Sequence, residues 1–177
     1  MRNSRKQIHQ RTRMRDSSYR NPPARLRNLE PRNLNKMPQA KRTQKRIGLA
    51  IIGAGRVGLF RGEVAARHGS VDWIGIAEIL PERAKDVAAK VGADFVTNDY
   101  RELLRRPEVN AVIIATDEHL HVGPVMEAIE RGLPMLIEKP LATRLAESTD
   151  VLAAIEKAGI DAVVGYTQRF RDRKTHV

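Results

Sequence analysis

The 177-residue chain has a formal net charge of +11 and no cysteine, which excludes disulfides and any metal site or nucleophile that depends on a thiolate. No apolar run reaches the ~20 residues of a membrane-spanning helix, and the N-terminus lacks the apolar core of a secretory signal. We therefore expect a cytoplasmic protein without a membrane partner.

The positive charge belongs to the N-terminal segment. Residues 1–46 contain 15 Lys and Arg against Asp16 and Glu30, whereas residues 47–177 contain 17 basic against 19 acidic residues. The segment 1–46 has no sustained apolar period, so its composition predicts a disordered basic tail. Three interpretations remain open: a nucleic-acid or other polyanion-binding arm, a transit peptide, or a segment outside the working protein, which would then start at Met37. The last is favoured over nucleic-acid binding, because charge runs are usually solvated.

From Ile47 onward, strands alternate with helices. Buried strands are predicted over 47–53, 71–78, 94–97, 109–116, 133–138 and 160–166. Helices are predicted over 56–69, where Gly69 closes the helix, and from Pro81 to Gly92, with the later ones between the remaining strands. This alternation predicts right-handed crossovers and an α/β, doubly wound parallel sheet of the Rossmann type over residues 47–170, followed by a polar end at 171–177.

Three of the later helices carry specific signals. Asp99 is predicted to cap one of them, with Glu102 as its capping-box partner. Thr143 is predicted to cap another. Apolar residues expected to face inward are Val122, Val125, Met126, Ile129 and Leu133 in the helix after the fourth strand, and Val151, Leu152 and Ile155 in the last helix.

A glycine loop follows the first strand and opens the first helix. Its sequence, "GAGRVG", has the G-x-G-x-x-G spacing that binds dinucleotides in this context. The first glycine allows a tight turn, the second lets the backbone approach a pyrophosphate, and the third lets the helix pack close to the sheet. The predicted cofactor-binding residues of this loop are Gly53, Gly55, Arg56, Val57 and Gly58.

Glu78 stands twenty residues after Gly58, at the end of the second predicted strand. A carboxylate there can accept hydrogen bonds from the ribose hydroxyls and would repel a 2′-phosphate, so NAD is expected as the cofactor and NADP is disfavoured. Arg83 lies close enough to weaken that preference, although it also fits a solvated helix face. The alternative is a glycine-rich turn with no ligand.

The stretch "MLIEKPLAT" places Lys139 directly after the fifth predicted strand. Gly53, Glu78, Thr116 and Gly165 also follow strands, so all five are expected at the carboxyl edge of the sheet, where ligands bind. A lysine there can hydrogen-bond a substrate hydroxyl, and partial burial or a neighbouring cation would lower its pKa towards a useful value. A surface turn is the alternative.

Residues 47–170 resemble the N-terminal domain of the glucose–fructose oxidoreductase / inositol 2-dehydrogenase (Gfo/Idh/MocA) family. The resemblance rests on "IGLAIIGAGRVG", "AVIIATDEHLHV", "LIEKPLAT" and "GYTQRF", in that order. It implies an oxidoreductase that transfers a hydride between a nicotinamide cofactor and a sugar, polyol or related hydroxyl compound. Lys139 is then the catalytic residue and a substrate contact, with Glu138 and Pro140 holding it beside the cofactor.

The resemblance also implies roles for two further segments. The loop 116–121 would flank the cofactor, with contacts from Thr116 and His121, although the family's Thr-Pro-Asn-x-x-His pattern is altered here by Asp117 and Glu118. Tyr166 and Arg169 would line the passage to the substrate. Family members continue into a second α/β domain, which we expect this chain to lack, so that it is not catalytically complete.

Two other classes of function stay open. One is a non-catalytic dinucleotide-binding or redox-sensing module, which substrate-dependent NADH production would distinguish from a dehydrogenase. The other is a polyanion-binding protein that works through its tail. A metal site is not expected, because His119 and His121 at i, i+2 do not share a helix face.

Overall fold

Residues 46–166, the part of the chain that the computed structural model describes, form one six-stranded parallel sheet. The strands are β1 (Ile47–Ile52), β2 (Val71–Ala77), β3 (Phe95–Thr97), β4 (Ala111–Ile114), β5 (Met135–Ile137) and β6 (Ala162–Val164). Their spatial order is β3-β2-β1-β4-β5-β6, and neighbouring strands pair in parallel. This is the doubly wound Rossmann order, which confirms the predicted fold. The predicted tail up to residue 45 and residues 167–177, Arg169 included, lie outside the described residues.

Five helices connect these strands within the described residues. They are α1 (Arg56–Ala66), α2 (Pro81–Val91), α3 (Tyr100–Leu104), α4 (Val122–Glu130) and α5 (Leu145–Ala158), with a 3-10 turn at Glu118–Leu120. Ile51 shares a buried cluster with Val87 of α2, whereas its neighbour Ile52 shares another with Val125 of α4 and Val151 of α5. The sheet is therefore covered on both faces. Over residues 46–166, the helices are too short or too polar to cross a membrane.

Helix α1 approaches the sheet through its smallest residues. Gly58 and Gly62 are its buried positions, and a Cβ on Gly62 would lie 2.9 Å from Val91 Cγ1 and 3.2 Å from Ile51 Cδ1. Of its larger apolar side chains, Leu59 is half-buried and packs against the core, whereas three others are exposed: Val57, Phe60 and Val64. This close packing brings the N-terminus of α1 against the carboxyl end of β1.

The start of α3 confirms one prediction and corrects another. The Asp99 carboxylate accepts a hydrogen bond from the Arg101 N–H at 2.8 Å, as a cap should. Glu102 does not close a capping box. It accepts the hydroxyl of Thr97 instead, and that hydroxyl oxygen also accepts the Asp99 N–H at 3.1 Å. The Thr97 side chain thus takes the place that the capping box would have given to Glu102.

Helix α5 differs from prediction at its start and on its inner face. It begins at Leu145 with Arg144 at the N-cap and no side-chain capping bond, so the predicted Thr143 cap is wrong. Val151 is fully buried, but Leu152 is 52% exposed. Adjacent helical residues point about 100° apart, and the helix is turned so that Val151 faces the sheet.

Other boundaries shifted by a few residues. Helix α1 ends at Ala66, three residues before the predicted Gly69. Helix α4 ends at Glu130, so Leu133 lies beyond it, although Leu133 joins the same buried cluster as α4. Strand β5 starts only at Met135, because Pro134 before it has no N–H to donate to the sheet.

Candidate functional site

The carboxyl ends of the strands gather the predicted residues along one edge of the sheet. The N–H groups of Gly53, Glu138 and Gly165 donate to the last carbonyls of β2, β4 and β5 at 2.9, 2.9 and 2.8 Å. The sheet hydrogen bonding thus continues into the residues that follow the strands. At β1 and β4 the connections leave in opposite directions, and such a reversal opens a crevice at this edge.

The glycine loop is shaped by close backbone approach. Gly53 has φ of 89°, and a Cβ there would lie 2.6 Å from the Thr116 nitrogen. A Cβ on Gly58 would collide with the carbonyl oxygen of Gly53. A Cβ on Gly55, in contrast, would meet no atom within 4 Å. The first and third glycines therefore pack the loop, whereas the second faces open space.

The N-terminus of α1 carries no protein anion or cap. Gly55 is the N-cap residue and makes no side-chain capping bond, and the first turn contains no acidic residue. The first N–H groups of a helix have no partners within the helix, and they carry its partial positive charge. This end of α1 can therefore receive an anionic group such as a pyrophosphate.

Glu78 joins the glycine loop to the start of α2. Its Oε2 accepts the Ala54 N–H at 2.8 Å, and its Oε1 accepts the Leu80 N–H at 3.0 Å. Arg83 Nη1 lies 3.7 Å from Oε2, and the Glu78 side chain is 4% exposed. A carboxylate has about four acceptor positions. Glu78 therefore retains acceptor capacity for hydroxyl groups in the crevice.

The crevice is a cavity of about 660 Å³ between the ends of β1, β2 and β4. The predicted residues that line it are Gly53, Gly55, Glu78 and Thr116. Asp117, His119 and Leu120 also line it; they belong to the loop 116–121, which the resemblance places beside the cofactor. Lining residues that the sequence did not single out as site residues include Ile79, Leu80, Asn98, Tyr100, Gly123 and Pro124. Three of the lining side chains, Ile79, Leu80 and Leu120, are exposed and apolar. The sequence signal for this apolar lining was the pair Ile79 and Leu80, which stands after a strand where a surface turn is usually polar.

His121 lies behind the crevice rather than in its lining. It is 1% exposed. Its Nδ1 is 2.8 Å from the carbonyl oxygen of Pro140, and its Nε2 is 3.2 Å from that of Thr116. The ring therefore links the loop after β4 to the loop after β5. Direct contact between His121 and a dinucleotide stays a prediction.

Glu138 forms an ion pair with a residue that sequence reasoning did not consider. Arg61 of α1 donates to Glu138 Oε1 from Nε at 2.8 Å and from Nη2 at 2.6 Å. The two side chains are only 21% and 12% exposed. Glu138 therefore lies outside the crevice lining, between α1 and the end of β6, and its predicted contact with a cofactor stays a prediction.

Lys139 is exposed and the bond to Pro140 is cis. It follows the last residue of β5 by two positions. It therefore lies at the carboxyl edge of the sheet, at the end of the strand between β4 and β6. Tyr166 is also exposed, two residues beyond β6. Arg56 and Val57 begin α1 and are exposed beside Gly55. Among residues 46–166, no three His, Asp or Glu side chains gather as they would to hold a metal ion.

The chain matches one family model over nearly all of the described residues. The Gfo/Idh/MocA model, whose description is "Oxidoreductase family, NAD-binding Rossmann fold", matches residues 47–166. That range contains the glycine loop, Glu78 and Lys139. It excludes Arg169, which the family resemblance places in the passage to the substrate.

Curated relatives and solved structures agree with this match. An uncharacterized oxidoreductase of Bacillus subtilis, YrbE, is 33% identical over 126 residues, which is 71% of this chain and 37% of that protein. The scyllo-inositol 2-dehydrogenase (NAD(+)) of the same organism is 28% identical over 72% of this chain and 37% of its own length. A levoglucosan dehydrogenase solved with NADH and levoglucosan has a TM-score of 0.66 at 28% identity, over 71% of this chain and 36% of that one. The chain thus spans about 37% of the length of these curated relatives.

Proposed function

Since the chain belongs to the Gfo/Idh/MocA oxidoreductase family, we propose that residues 47–166 hold NAD in the crevice for hydride transfer with a sugar, polyol or related hydroxyl compound. The observation that carries this proposal is the crevice itself. An uncapped helix N-terminus borders it at Gly55, and the carboxylate of Glu78 borders it on the side of β2. A dinucleotide needs both features, one for its pyrophosphate and one for its adenosine ribose.

The pyrophosphate, the adenosine ribose and the adenine ring of NAD each have a matching surface in the crevice. The open space at Gly55 admits the pyrophosphate to the N–H groups of α1. The free acceptor positions of Glu78 suit the two ribose hydroxyls. The exposed apolar side chains of Ile79, Leu80 and Leu120 border the same cavity, and they offer the adenine ring an apolar surface of the kind that favours burial of flat rings.

The chemistry requires a group at the oxygen of the reacting alcohol. Bound NAD supplies the hydride acceptor. Lys139 follows β5, the strand next to β4, so it reaches the edge of the sheet beyond the adenosine half of the crevice. Its amino group, when neutral, can accept the hydroxyl proton as the hydride passes from the substrate carbon to NAD, and the ammonium group so formed can donate a hydrogen bond to the carbonyl oxygen of the product. The names of the relatives, an inositol and a levoglucosan dehydrogenase, support this class of substrate.

We expect NAD to bind more tightly than NADP. The Glu78 carboxylate is held in the crevice by the N–H groups of Ala54 and Leu80, so it cannot turn away from a 2′-phosphate, and the two negative charges repel. Isothermal titration calorimetry with each dinucleotide measures the difference. Folded protein that gives no heat with either one would rule out the proposed site.

A matched pair of variants separates the charge of Glu78 from that of its neighbour. Glu78→Gln keeps the size of the side chain and removes the repulsion, so it should reduce the preference for NAD. Arg83→Ala removes a cation 3.7 Å from Glu78, so it should strengthen that preference. Tighter binding of NADP by the unchanged protein would contradict the role given to Glu78.

A non-catalytic dinucleotide-binding module is the second candidate. The observation in its favour is the exposure of Lys139, which forms no ion pair among residues 46–166 that would hold its side chain. Such a module would bind NAD as proposed here but would not reduce it. Formation of NADH at 340 nm in the presence of inositols and anhydrosugars distinguishes the two, when it is measured on residues 47–166 joined to the C-terminal part of a relative.

A further inference from the structure

The residues on both sides of Lys139 are held by hydrogen bonds to other parts of the chain. Before it, the backbone N–H of Glu138 still belongs to the sheet, donating to the last carbonyl of β4 at 2.9 Å. After it, the Pro140 carbonyl oxygen lies 2.8 Å from Nδ1 of the buried His121. Lys139 is therefore an exposed residue between two anchored ones.

The side chain of Glu138 is held by a second contact, with Arg61. Both Nε and Nη2 of Arg61 donate to the same oxygen of Glu138, at 2.8 and 2.6 Å. The pair is mostly shielded from solvent, where charge-assisted hydrogen bonds are screened little by salt. Two donors on one planar guanidinium restrict the direction of the carboxylate as well as its distance.

Gly165 completes the enclosure of this carboxylate. A Cβ at Gly165 would lie 2.9 Å from Glu138 Oε2 and 3.1 Å from its Cδ. The carboxylate therefore occupies the space that a side chain at position 165 would take, and its Oε1 is held by Arg61. Glu138 has little room to rotate, and the peptide that leads into Lys139 is held with it.

We propose that Arg61 is a positioning residue, which acts through Glu138 to set the direction from which Lys139 leaves the sheet. This inference rests on the proposed function, in which Lys139 must meet a substrate oxygen beside NAD. Arg61 belongs to α1, whose N-terminus faces the pyrophosphate site, so the ion pair also ties the helix that holds the cofactor to the loop that carries the lysine. A displacement of about 1 Å of a reacting group can cost about 10²-fold in rate.

The test measures backbone order at Lys139 by ¹⁵N relaxation, without ligand. We expect an order parameter near the rigid value of about 0.85 for the Lys139 amide in the unchanged chain, and a value below about 0.6 in Arg61→Ala. Arg61→Lys keeps the charge but not the planar pair of donors, so it should recover much of the order. Arg67→Ala removes an exposed arginine at the C-terminal end of α1, whose side chain contacts Glu63 through an ion pair at 3.9 Å and a hydrogen bond to its carbonyl oxygen at 3.0 Å, and it should leave Lys139 unchanged.

A second variant protects the test from a loss of folding in Arg61→Ala. Gly165→Ala leaves Arg61 in place but puts a methyl group against the Glu138 carboxylate, so it should lower the order at Lys139 in the same way. If Lys139 keeps its order in both variants, or is already disordered in the unchanged chain, the inference is overturned.

Calorimetry with NAD on the same samples keeps this inference separate from the proposed function. Arg61 does not line the crevice, so NAD affinity in Arg61→Ala should stay within about threefold of the unchanged chain, or about 0.7 kcal/mol of binding free energy by the conversion of about 1.4 kcal/mol per tenfold. No heat in the unchanged chain, together with a loss of order at Lys139 in Arg61→Ala, would reject the NAD site and leave the positioning of Lys139 supported.

Discussion

Lys139→Ala is expected to lower kcat for oxidation of a polyol by about 10²–10⁴-fold, the usual contribution of a general acid–base group. The side chain is exposed, so its loss should hardly change the melting temperature. It follows β5 and does not line the adenosine crevice, so NAD affinity should also stay close to that of the unchanged protein. The measurement uses a form of the protein that turns over, either this chain or one that continues after residue 166 with the C-terminal part of a relative.

The matched control is Lys157→Ala, which removes an exposed lysine and the same unit of charge. Lys157 stands at the C-terminal end of α5, near the amino edge of the sheet, so kcat should not respond. A stability loss with unchanged kcat in Lys139→Ala would mean that the lysine serves the fold. Equal losses of kcat in both variants would point to overall charge instead.

Gly55→Ala and Gly58→Ala are expected to affect different properties: the first weakens NAD binding, and the second lowers the stability of the fold. A Cβ at Gly58 would collide with the Gly53 carbonyl oxygen, and forcing extra atoms into a packed site costs about 1–3 kcal/mol or more. A Cβ at Gly55 meets nothing within 4 Å, and its φ of −67° and ψ of −173° suit any residue. Gly55→Ala should therefore fold normally.

The melting temperature and the NAD affinity of each variant, measured together, distinguish the two effects. Gly58→Ala should show a lower melting temperature. Gly55→Ala should keep its melting temperature but bind NAD at least about tenfold more weakly, a loss of about 1.4 kcal/mol, because the methyl group fills the space that the pyrophosphate needs. Equal NAD affinity in Gly55→Ala and the unchanged chain would show that the phosphates bind elsewhere.

The parts of this site that could be predicted from sequence are those set by local rules. The glycine spacing requires a turn between a strand and a helix, and the structure has that turn at Gly53. Glu78 could be placed because parallel strands end at a common edge. In each case the residue and its structural cause lie within a few positions of one another, or at the same level of neighbouring strands.

The parts that could not be predicted depend on contacts between distant residues. Arg61 and Glu138 are 77 residues apart, and nothing in their local sequence shows that α1 would pass beside the end of β5. His121 fits a cofactor contact by its place in a motif, yet its burial between two loops depends on how α4 packs. Leu152 shows the same limit, because periodicity alone did not decide which side of α5 would face the sheet.

The hydrogen bond from the Ala54 N–H to Glu78 has a kinetic consequence. Both of its partners belong to the protein, so this bond can hold the glycine loop in its binding shape before NAD arrives, and association need not wait for the loop to order. Preorganisation of this kind reduces the entropy lost on binding. The observed rate of NAD association should therefore rise linearly with NAD concentration, as for a rigid site met by diffusion, with no plateau set by a slower conformational step.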